Sequence, residues 1–91
     1  MSRRVIFFGK ITADFTTLQR FHFADICLAL DRHEVGDWGG VMASTEMENA
    51  AALACGGRVK SSYLDRQGRE FWIITDKTQE HGGTIIVPAE W

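Results

Sequence analysis

Few residues in this chain have the type and spacing that chemistry needs. His33 stands four positions before Asp37, close enough for an imidazole–carboxylate pair if the glycine-bearing loop after it folds back. Such a pair would serve as a general base or simply anchor the loop. Arg58 could hold an anion and Tyr63 supplies a phenol, so His33, Asp37, Arg58 and Tyr63 together would make a pocket for a small enzyme or a nucleic-acid-acting protein, with His33 as the base. Phosphate loops, dinucleotide fingerprints, Gly-x-Ser-x-Gly elbows, His-Glu-x-x-His and Cys-x-x-Cys are all missing from the sequence, so no cofactor and no metal is expected. Cys27 and Cys55 have apolar neighbours and no metal-ligand spacing, and read as small buried thiols. His22 is expected at a helix edge, and His81, beside two glycines, in the open.

Trp38 lies between Gly36 and Gly39-Gly40, and little local structure can hold its ring. It either plugs the core from the loop or offers an aromatic platform, with Asp37 hydrogen-bonded locally. Asp14 is placed to cap a helix over 15–21 with Phe15, Leu18 and His22 near one face, and Asp25 a second one carrying Phe23, Ile26, Cys27 and Leu30 at helical spacing. Two short helices meeting near Phe23 are preferred to one helix running throughout. Residues 5–8 read as a strand or an arm. Thr45 with Glu48 fits a capping box for a helix over 46–55, ended by Gly56-Gly57. Asn49 sits inside that helix against its propensity, which suggests a task for its side chain.

Strands follow at 58–64, 69–76 and 84–87, the first two joined by the turn Asp65-Arg66-Gln67-Gly68. Val59, Ser61 and Tyr63 share one face; Phe71 and Ile73 oppose Trp72 and Ile74. The pattern predicts one α+β domain over 1–91, with short N-terminal helices on a three-stranded, possibly four-stranded, antiparallel sheet.

The 91 residues carry ten Lys and Arg against twelve Asp and Glu, for a net charge of −2. That balance argues against general nucleic-acid binding. Residues 14–48 hold seven acids and two arginines, while 58–70 hold four basic residues and two acids, so the two blocks can attract each other within the fold. Hydrophobic residues make up 45% and charged residues 24%, which excludes a disordered chain. No run is long enough to span a bilayer, and the expected setting is the cytoplasm.

Arg32-His33, Gly36-Asp37-Trp38-Gly39, Asn49, Gly56-Gly57-Arg58, Ser62-Tyr63, Gly68, the run from Phe71 to Asp76, Thr84 and the closing Pro88-Ala89-Glu90-Trp91 form an ordered set. In this set the chain resembles a family of small, uncharacterised bacterial "plasmid-related" proteins carried on mobile genetic elements. It departs from that pattern at Asp76, at Trp91 and across 77–83. The resemblance implies a setting in host defence, replication or transfer, exerted through binding. The leading expectation is accordingly an accessory protein that binds a protein partner. An open aromatic sheet face and the 36–40 loop would make the contact, with His33, Asp37, Trp38, Arg58, Tyr63 and Trp72 as candidate residues and Phe71 as a further sheet-face aromatic. A homodimer through the edge of the C-terminal strand is a further expectation.

Overall fold

The computed structural model describes residues 4–76 and 82–89. Three helices pack with a four-stranded mixed sheet, an α+β fold. In chain order the elements are β1 (Ile11–Ala13), α1 (Phe15–Arg20), α2 (Phe23–Glu34), α3 (Ala43–Cys55), β2 (Arg58–Leu64), β3 (Glu70–Asp76) and β4 (Thr84–Pro88). The sheet order is β1-β4-β3-β2. The last three strands form the expected antiparallel meander, and β1 joins β4 in parallel through Ile11 opposite Thr84 and Ala13 opposite Ile86. That pairing makes the sheet mixed. It also makes β4 an inner strand, so the dimer edge expected there is already occupied. Residues 5–8 are an irregular arm, tied down where the Val5 and Ile6 amides donate to the Glu34 carbonyl at 2.8 and 3.2 Å. No helix among the described residues is long and apolar enough to cross a membrane.

Local chemistry explains where the helices begin. Asp14 Oδ1 accepts from the Thr17 amide at 2.7 Å and caps α1 as expected. At α2 the cap is His22, whose Nδ1 accepts from the Ala24 amide at 3.1 Å. Asp25 falls inside the first turn and is drawn to Arg66 instead. At α3 the Glu46 amide already donates to the Met42 carbonyl at 3.0 Å, so Thr45 lies within the helix and cannot cap it. Met42 occupies the cap position without a side-chain bond. Cys55 is exposed at the end of α3 and Cys27 is half-buried, which corrects their reading as buried thiols. Both follow from helix phase, since apolar neighbours in sequence do not share a face.

The register sorts the sheet into two faces. Val59, Ser61 and Tyr63 face the helices, alongside Phe71, Ile73, Thr75, Thr84 and Ile86. Phe21, Ile26 and Ala29 pack on the Tyr63–Phe71–Ile73–Ile86 part, and a smaller cluster joins Ile6, Ala52 and Val59. The outer edge of β2 is blunted. Asn49 donates from Nδ2 to the Lys60 carbonyl at 2.8 Å and accepts from its amide at 3.0 Å, the task its helical position implied. Further along, the Gly40 amide donates to the Ser62 carbonyl at 2.9 Å, and the Ser62 amide to the Trp38 carbonyl at 3.0 Å. Such coverage removes a template for strand addition.

Candidate functional site

The six sequence-derived candidates do not form one pocket. His33 is fully buried on the sheet-facing side of α2. Asp37 pairs instead with Arg32, whose Nε and NH2 donate to its carboxylate at 2.8 and 3.1 Å. One residue along a helix is a turn of about 100°, so the outward side chain next to His33 meets the returning loop. The Arg32 guanidinium holds the Asp37 carboxyl below its usual range. Arg32 also lies 4.9 Å from the Tyr63 ring centroid. Tyr63 itself is core, and its hydroxyl donates to the Asp37 carbonyl at 2.7 Å; burial pushes its pKa up to about 12. Arg58 sits five residues away along β2, roughly 16 Å by strand rise, beside Asp76 at 4.0 Å.

His33 has the geometry of a base but not the access. Its Nδ1 is 2.5 Å from Ser61 Oγ, and its Nε2 is 2.9 Å from Thr75 Oγ1. Thr75 Oγ1 is 2.8 Å from Thr84 Oγ1, which donates to the Phe8 carbonyl at 2.8 Å. A carbonyl only accepts, so the protons order themselves along the chain. Thr84 donates to Phe8, Thr75 to Thr84 and His33 Nε2–H to Thr75, while Ser61 Oγ lies against Nδ1 and also 3.5 Å from the Ile73 carbonyl. This order fixes a proton on Nε2, and burial keeps the ring neutral. Phe8 stacks on one side at 6.1 Å and Trp38 meets the ring edge-on at 5.6 Å. A serine beside an imidazole resembles a nucleophile–base pair, yet Ser61 and His33 are both sealed from solvent. The relay fastens the arm, α2 and three strands together.

Trp38 is the lid of that arrangement, half-buried against Ile6, Ala52 and Val59. Its loop depends on Gly39, at φ +68°, where a Cβ would fall 2.0 Å from the Ser62 carbonyl oxygen. Asp37 Oδ1 accepts from the Gly39 amide at 3.3 Å, the local hold expected of it. On the other sheet face, Trp72 is half-buried beneath Lys60, whose Nζ is 3.6 Å from the ring centroid. The indole N–H donates to Glu70 at 2.9 Å, and the same oxygen accepts from Ser62 Oγ at 2.6 Å. Phe71 and Tyr63 are core, so of the three aromatics expected on the open face only Trp72 is there.

The apolar surface lies elsewhere. Leu64, at the end of β2, is 68% exposed. It lines two adjoining clefts that also share Arg32 and Tyr63. One, of about 430 Å³, reaches Gly39, Gly40, Ser62 and Glu70; the other, of about 370 Å³, reaches Asp25, Leu28 and Asp31. The Asp25–Arg66 ion pair separates them from a third cleft, of about 380 Å³, lined by Leu18, Phe23, Arg20, Arg66 and Arg69. Phe15, one helical turn from Leu18, is 74% exposed, and Phe23 is 69% exposed. Phe15 and Leu18 turn outward, whereas of the Phe23–Ile26–Cys27–Leu30 set Phe23 stands in solvent while Ile26 is core and Leu30 packs against it. A signal was present: five of the six phenylalanines fall within residues 7–23, more ring surface than two short helices can bury.

Comparison with family models, curated proteins and solved structures finds no match for this chain.

Proposed function

We propose that the protein works by binding a protein partner through the surface centred on Leu64. One observation carries this reading. Large apolar side chains stand in solvent around three adjoining clefts framed by Arg20, Arg32, Arg66 and Arg69. Exposed leucine and phenylalanine clustered beside arginine have the composition of an interface centre, and monomeric surfaces rarely carry such groups together. The contact therefore sits on the helix–hairpin side, not on the Trp72 face as the strand pattern suggested. Arg32, Asp37 and Tyr63 support it by fixing the loop that walls one cleft. A role as a mobile-element accessory protein, acting on host defence or plasmid functions, rests on the sequence resemblance.

Affinity capture from a nuclease-treated extract of the source cell tests the proposal. Wild-type protein should retain a defined protein, and Leu64→Asp with Leu28→Asp should lose it while keeping the wild-type circular dichroism spectrum. Met47→Asp, on exposed α3 surface, should retain it. Equal capture by all three proteins would contradict the reading.

A further inference from the structure

The cleft between α1, α2 and the β2–β3 turn has a charge arrangement that its ion pairs conceal. Asp65 and Arg69 are formally neutral together, as are Asp25 and Arg66. In each pair the carboxylate is sunk and the guanidinium faces out. The Asp65 side chain is 1% exposed against 43% for Arg69, and Asp25 is 14% exposed against 53% for Arg66. Each carboxylate also accepts three hydrogen bonds. Asp65 accepts from the Gln67 and Arg69 amides at 2.9 and 2.8 Å and from Arg69 Nε at 3.1 Å. Asp25 accepts from the Arg66 amide, Nε and NH2 at 3.0, 3.0 and 3.1 Å. Arg69 NH2 additionally donates to the Arg20 carbonyl, and the guanidinium groups of Arg20 and Arg69 lie 5.8 and 5.5 Å from the Phe21 ring centroid. The guanidinium groups of Arg66 and Arg69 thus face one cleft, whose further lining includes Leu18, Phe23, His22 and Gln67.

Resting on the partner-binding reading, we infer that this cleft docks a segment of the partner that carries apolar side chains interspersed with Asp or Glu. The apolar groups would cover Leu18 and Phe23, and the carboxylates would meet guanidinium donors turned to solvent, the charge-assisted geometry arginine favours. Phe23 and the guanidinium planes are surfaces on which bases also stack, but aliphatic Leu18, and Leu28 and Leu64 across the Asp25–Arg66 pair, are not, and they favour a peptide.

Selection of random displayed peptides on the intact protein tests the inference, with counter-selection on folded Leu18→Asp/Phe23→Asp protein. The expected survivors carry Leu, Phe or Trp beside Asp or Glu. A synthetic survivor should bind about tenfold more weakly to Arg20→Gln/Arg66→Gln protein and lose affinity as salt rises. Site-dependent survivors that are neutral or basic would overturn the acidic segment while leaving a partner surface in place. The same holds if partner capture depends on Leu64 but not on Leu18 and Phe23. Absence of any site-dependent peptide would overturn the inference, as would preferential binding of a single-stranded oligonucleotide or of phosphatidylserine vesicles.

Discussion

Lowering the pH from 6.5 to about 4 should remove about 3 kcal/mol of folding free energy through His33 alone. Burial lowers the His33 pKa from 6.5 to about 4, because a charged ring would sit away from water between Phe8 and Trp38. In the unfolded chain the imidazole regains its ordinary value. Across this window the unfolded state binds more protons than the folded one, so stability rises with pH. The contribution is complete above pH 6.5 and is lost as the pH falls through the folded value. Urea unfolding at stepped pH measures the loss. Nitrogen-15 spectra of the folded protein should show His33 neutral, with the proton on Nε2, down to about pH 4. An imidazole titrating near 6.5 in the folded state would contradict the sealed relay.

Trp38→Ala should cost about 3 kcal/mol, the range found when large aromatic side chains are truncated in cores. The ring covers the Ile6–Ala52–Val59 cluster and closes the edge of His33, so its removal also admits water to the relay. Asp37→Ala, by contrast, removes a half-exposed ion pair and should cost less than about 1 kcal/mol. Denaturant midpoints of the two variants separate these effects. A Trp38→Ala midpoint equal to the wild type would show that the 36–40 loop is not part of the scaffold.

The meander was legible because alternation at Val59–Ser61–Tyr63 and at Phe71–Ile73 matches a sheet with one covered face, and a glycine at position 68 closes the turn between them. Asp14 and Asn49 were legible as well, since each is a polar residue whose local position demands a bond. His33 and Asp37 were misread as partners because sequence distance does not carry helix phase. Arg32 points to the loop, and His33 points to Ser61 and Thr75, which lie 28 and 42 residues away. The β1 strand left no trace in the pattern, for three residues joined in parallel to the last strand have no local signal. The Leu64 surface was hidden for a different reason. Apolar residues predict burial, and their exposure becomes visible only once the core is seen to be full without them.

The central claim is that the Leu64 surface is where a partner protein sits. A photo-cross-linking amino acid placed at position 64, and separately at Met47 on α3, tests this in the source cell. The account predicts a single discrete protein adduct from position 64 and none from position 47. Adducts from position 47 alone, or none from position 64 in folded protein, would contradict it.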